Sequence, residues 1–333
     1  MDAQADLISQ CYPNQIPDFV MDAMQRLHPG RYSSLDHFRV YGQAREASTY
    51  AAWRDSQPDA VLLYQQRGDV VRVLNEGISL APDTLLRCAR HLLQHTSAGA
   101  VLFRAVQVPR LRHSQIQQVA CDQDSILALP DSVAAYRQRL GAATRATINN
   151  RLNRLRREQP TFQFQLSHQQ RSDPDDVHAL LQLHRQRIVA RKLASPVDQD
   201  EEQRIQQMVQ RCGMVGVARI RGRCAGGAIA YCHGAVASGR VLAHDNAYDS
   251  YRLGFLCAYL MACHCIEQGG LRQFHFGWGG QEYKFHLGAQ ERILSDVIVY
   301  RSPWQRLRLA PMAAALTARG LLFRLRRSSR RLR

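Results

Sequence analysis

Between Phe274 and Lys284 the chain gathers groups that could do chemistry. Gly277, Gly279 and Gly280 let a backbone approach a ligand closely. Glu282, Tyr283 and Lys284 follow and supply a carboxylate, a phenol and an ammonium. On a strand, Glu282 and Lys284 share one face and Tyr283 takes the other; a plain turn followed by an exposed ion pair is the alternative. Lys284 is one of two lysines among 44 basic residues, and a compact ammonium does what a planar guanidinium cannot. The other, Lys192, closes a second polar run that contains His184 and Arg187. A third group spans His244 to Leu256. Here Tyr248 and Asp249 precede Arg252, Gly254 and Leu256 at the expected start of a helix, where free amides and the helix dipole favour an anion.

The elements that must position these groups follow from length and patterning. The 333 residues are 45% hydrophobic, enough for roughly two domains with cores of their own. A net charge of +16 predicts attraction to something anionic: nucleic acid, an acidic protein, a lipid surface or a phosphorylated cofactor. Asp2 and Asp6 stand where a secretory signal carries cations, and no apolar run is long enough to cross a bilayer, so a cytoplasmic protein is expected. Nine scattered cysteines without a CxxC pair suit buried thiols in a reducing compartment. Cys263 and Cys265 flank His264, but on a helix the two thiols diverge, so no metal is expected.

In the first part, strands are expected at 60–64, 70–74 and 100–106, with a hairpin turn at Arg67, Gly68 and Asp69 and a helix from Pro82 to His95. Asp131 or Ser132 caps a helix to about Glu158, rich in arginine from Arg137 to Arg157, which is either a solvated face or a phosphate-facing one. A strand at 162–166, helices at 174–189 and 199–211, strands at 214–220, 225–233 and 241–248, a helix at 253–268 and strands at 271–276 and 293–300 complete the reading. The turns between the three central strands are placed at 221–223 and 237–239. This predicts domains at 1–128 and 129–302, with a basic tail at 303–333.

Two helices, three meandering strands, a helix and two more strands is the element order of a GNAT acyltransferase core, so an α/β (α+β) GNAT-like fold is expected, with two such units in tandem. The string from Phe276 to Lys284 resembles the signature of the CelD-like acyltransferases, a GNAT-fold family related to the Fem-type enzymes that use aminoacyl-tRNA and including a branch linked to antimicrobial-peptide resistance. His184 and Arg187 resemble that family's His-x-x-Arg segment, and the likeness covers about residues 130 to 300. Where relatives commonly carry an arginine and an acid after the Phe-Gly step, this chain has Trp278, Gly279, Gly280 and Gln281, which leaves substrate choice open.

The resemblance implies an acyl-CoA N-acyltransferase acting on an amine of a cell-envelope or polysaccharide precursor. Arg252, Gly254 and Leu256 would bind the donor, and His184, Arg187, Lys192, Trp278 and Tyr248 the substrate. The amine needs a base and the leaving thiolate an acid: Glu282, Asp249 and His244 are candidate bases and Tyr283 or Tyr248 the acid, with Lys284 in the same centre. An aminoacyl-tRNA donor gripped by the arginine-rich helix, or a non-catalytic adaptor at the membrane surface, are the alternatives; no DNA partner is expected. The tail from Arg301 carries ten arginines and no acids among Trp304, Leu307, Leu321, Leu322 and Leu325. Such a segment suits an anionic inner-membrane surface, with nucleic acid or a disordered tail as rivals.

Overall fold

The structure is a computed structural model that describes residues 7–190 and 197–331. Two compact units divide the chain. The first comprises the residues up to Asp124 together with Arg292–Arg333, and the second is Ser125–Glu291.

The first unit runs β1 (Ile8–Tyr12), α1 (Phe19–Leu27), α2 (Leu35–Val40), β2 (Ser48–Arg54), β3 (Gln57–Arg67), β4 (Val70–Val73), α3 (Pro82–His95), β5 (Ala100–Val106) and most of β6 (Ile116–Ala128). Strands β1 to β4 pair antiparallel in sequence, and β4 then pairs parallel with β5. Gly68, at φ 57°, makes the expected tight turn between β3 and β4. Helix α3 begins on Pro82 and buries Leu85, Cys88, Ala89, Leu92 and Leu93 on the stripe its periodicity predicts.

The second unit runs α4 (Val133–Arg139), α5 (Ala142–Glu158), β7 (Gln163–His168), α6 (Pro174–Ala190), α7 (Gln199–Cys212), β8 (Gly213–Ile220), β9 (Arg223–His233), β10 (Val236–His244), α8 (Leu253–Gln268), β11 (Gln273–Trp278) and α9 (Glu282–His286). Its strands β7 to β10 are antiparallel in sequence, and β10 is parallel to β11. Both units therefore repeat one plan: a strand, two helices, three antiparallel strands, a helix, and a strand parallel to the last of the three. This is the GNAT fold, a mixed α/β architecture, present as two units.

The chain closes with β12 (Gln290–Tyr300), α10 (Pro303–Arg308) and α11 (Ala310–Arg331). Because β12 pairs with β5, and Leu309, Met312 and Leu316 pack on Ala100, Leu102, Ile298 and Tyr300, the expected tail belongs to the first unit. Unit boundaries at 124/125 and 291/292 thus replace those expected at 128/129 and 302/303.

Three other expectations are corrected. The helix expected from Ser132 to Glu158 is broken at Leu140, extended at ψ 145° so that its side chain enters the core, while Ser132 does accept the Ala135 amide. Strand β10 starts five residues before its expected beginning. Gly234, at φ 54°, makes the turn, and Gly239 lies inside the strand at a bulge between Gly239 and Val241. Residues 282–284 are helical, not extended.

His28, which closes α1, is 9% exposed, and burial lowers its pKa from 6.5 to about 4. The unfolded chain then takes up a proton below pH 6.5 that the native imidazole refuses until about pH 4. Stability present above pH 6.5 is therefore lost as the pH falls, by about 3 kcal/mol over that window. Denaturant melts across it should show this slope, and His28→Leu should flatten it; an unchanged slope would remove the assignment.

Candidate active site

Alternation along β8 to β10 sorts the second unit's core. Met214, Ala218, Ala228 and Ala230 join the cluster made with α4, α5 and α8, so Val215, Val217 and Ile229 point to the opposite face. Helices α6 and α7 also pack on these strands. Strands β10 and β11 pair only through Val236–Ser238 and Gln273–His275, yet both continue, β10 to His244 and β11 to Trp278. Just past that ladder the backbones are still close, since a Cβ on Gly277 would lie 3.4 Å from the Gly239 carbonyl oxygen.

Helix α8 begins beside His244. Arg252 is its left-handed cap at φ 54°, and its carbonyl takes the Leu256 amide at 3.1 Å. The amides of the first turn have no partner inside the helix and are available to an anion. Gly254 is required by packing: a Cβ there would lie 2.6 Å from His244 Nδ1. His244 Nε2 is 2.7 Å from Asp249 Oδ1, and its Nδ1 is buried without a hydrogen-bond partner. Leu256, expected among the donor-binding residues, has a fully buried side chain and an amide spent within the helix, so it offers a donor nothing.

Tyr248 and Asp249 lie in a 3-10 turn, Asn246–Tyr251, and not on a strand. Helix α5 braces that turn, with Arg151 Nη1 donating to the Ser250 carbonyl at 2.7 Å and Tyr251 donating to Glu158 at 2.8 Å. Arg137, Arg145 and Arg154 are likewise engaged, with Asn149, the Leu140 carbonyl and Glu158. Arg139, Arg156 and Arg157 remain exposed.

Lys284 is 2% exposed. Its Nζ donates to the carbonyls of Gly277, Trp278 and Gly279 at 2.7, 3.1 and 2.9 Å. Three carbonyls match the three donors of an ammonium and not the planar fork of a guanidinium. Gly277 and Gly279, at φ 82° and 91°, allow the loop to turn those carbonyls inward. The neighbouring side chains diverge. Glu282 is 87% exposed and faces His286 at 3.3 Å. Tyr283 packs edge-on against Phe276, and burial pushes its phenol up to about 12.

Arg187, on α6, opposes that shift electrostatically. His184, one turn earlier, has its pKa lowered by burial first and by Arg240 and Arg187 second, and its Nδ1 is buried without a hydrogen-bond partner. The fold thus brings the α6 residues His184 and Arg187 within electrostatic reach of two groups far from them in sequence, Arg240 acting on His184 and Arg187 acting on Tyr283. Arg240 was missed because the turn was placed at 237–239. The glycine at 234 was the signal that puts it in a strand, at the bulge, where it pairs with Glu201 at 2.7 Å. Lys192 lies outside the described residues.

Replacing Lys284 by Met should leave three buried carbonyls without a donor and destabilise the protein by roughly 3 kcal/mol. Lys284→Arg should not restore it. Thermal melts check this, and an unchanged midpoint for either variant would contradict a caged ammonium.

Residues 142–285 match the acetyltransferase (GNAT) domain family model. No curated protein sequence matches the chain. Among solved structures, FemX superposes with a TM-score of 0.64 at 10% identity, over 90% of this chain and 99% of that one. L-PGS from Bacillus licheniformis does so with a TM-score of 0.54 at 11% identity, over 92% and 98%. The C-terminal domain of a putative lysylphosphatidylglycerol synthetase from Agrobacterium fabrum gives 0.50 at 14% identity, over 77% and 84%. At such identities the likeness is one of fold, and the fold that carries the matching sequence, at 142–285, is that of the GNAT transferases.

Proposed function

We propose that the protein is an N-acyltransferase that moves an acyl group from acyl-CoA to an amine borne by a cell-envelope or polysaccharide precursor, as its resemblance to the CelD-like enzymes suggests. The observation that carries this reading is the first turn of α8, with no partner for its amides inside the helix, at the end of β10 beyond its short ladder with β11. A diphosphate on the helix amides and Arg252 would leave the donor arm to run along β10 toward Arg240. Four residues of strand, about 13 Å, separate His244 from Arg240.

This reading puts His184 and Tyr283 at the far end of that path, because Arg240 and Arg187 act electrostatically on His184 and Arg187 also acts on Tyr283. Burial and two neighbouring guanidinium groups keep His184 neutral near pH 7, as a base must be. Tyr283 stays protonated and can act as the acid. The amine nitrogen would attack the thioester carbon and pass its proton to His184; the C–S bond breaks, and the thiolate takes the phenol proton. No covalent enzyme intermediate is involved. In this arrangement Arg187 and Trp278 border the acceptor, and Tyr248, His244 and Asp249 shape the donor end. Glu282 is a solvated carboxylate, and Lys284 acts as a positioning residue that holds the loop from Gly277 to Gly279.

Acetyl-CoA and free CoA should raise the melting temperature saturably, because they bind only the folded state. Gly254→Ala, which must displace His244 or the helix start, should remove most of that shift. The absence of a shift with any acyl-CoA would overturn the donor assignment.

A second reading keeps the transfer and takes aminoacyl-tRNA as donor. The exposed Arg139, Arg156 and Arg157, and the fold shared with FemX, favour it. Activity with that donor should then fall steeply as salt rises; salt-independent turnover would exclude it.

A further inference from the structure

Helix α11 is tied to the first unit by one face. Met312 and Leu316 enter the core there, and Gln117 Nε2 donates to the Ala313 carbonyl at 2.9 Å. Arg319 Nη1 pairs at 2.9 Å with Asp296, which is 1% exposed. Gly320 is buried so closely that a Cβ would meet Val119. These contacts fix the rotation of the helix about its axis.

At about 100° per residue, the face away from those contacts holds Ala314, Ala315, Ala318, Leu321, Leu322 and Leu325 within an arc of roughly 120°. All six are exposed, the leucines at 54%, 54% and 67%. Trp304 and Leu307 of α10 are exposed too, at 72% and 65%. Arg306, Arg308, Arg324 and Arg326 are exposed on the same two helices, and no acidic residue occurs from Arg301 to Arg333.

An apolar arc kept in water by a folded helix needs a partner. A second copy of this surface would bring two wholly cationic helices together, at a Coulomb cost. Single-stranded nucleic acid would use aromatic rings for stacking, where this arc offers alanine and leucine. We propose that the α10–α11 face docks on an anionic lipid surface, with the leucines at the acyl boundary and the arginines among the headgroup phosphates. The helix lies on the bilayer: among the described residues no helix is long and apolar enough to cross one. The proposal is independent of the transferase reading.

The test is co-sedimentation of the full chain with phosphatidylcholine vesicles with and without phosphatidylglycerol. Binding should appear with the anionic lipid and weaken with salt. The double variant Leu321→Gln, Leu325→Gln should lower partitioning roughly tenfold or more with an unchanged circular dichroism spectrum. The double variant Arg324→Gln, Arg326→Gln should do the same. No binding to anionic vesicles, equal binding to neutral ones, or full binding by the leucine variant would each overturn the proposal. So would a dimer in sedimentation equilibrium that the leucine variant dissolves while vesicles capture nothing.

Discussion

The second unit depends on how briefly β10 and β11 stay together. Three residues of parallel pairing hold them, and both strands then run on without a ladder between them. Strand backbone beyond a ladder is costly unless it is used or covered, because unpaired amides and carbonyls away from water lose their hydrogen bonds. Beyond the ladder β10 leads to α8, with His244 seated against Gly254. Beyond the same ladder, the loop after β11 turns three carbonyls onto the Lys284 ammonium. One buried charge therefore does locally what a further strand would otherwise do.

The second unit's arginines do different things. Arg137, Arg145, Arg151 and Arg154 bond to carbonyls, an amide and a carboxylate, and so hold α4, α5 and the turn before α8 in place. Arg187 and Arg240 instead lie near His184, where their fields add to burial in keeping the imidazole uncharged. A strongly basic protein can thus contain an uncharged imidazole, since desolvation and like charge both act against the protonated form.

The same plan in two units has unequal consequences. In the second, the stretch matching the GNAT family model carries the chemistry-bearing residues. In the first, β12 and the terminal helices complete the packing around β5, and the last helix is held by one face and left apolar on another.

Element order and type were legible in the sequence because hydrophobic period and glycine positions are local: α3, α6, α7 and α8 stand within a residue of where periodicity puts them. The GNAT plan followed from that order. Chemistry was legible as a set of unusual residues, including a lysine kept among arginines. Their roles were not, since a role depends on what faces a side chain across the fold. Adjacent letters placed Glu282, Tyr283 and Lys284 in one centre, yet a single helical turn sends the first to solvent, the second into the core and the third into a carbonyl cage. Arg240 and His184 meet only because α6 packs against β10. Sequence patterning determined which elements form; long-range packing, which decides burial and hence the charge state of each group, chose which residues can act.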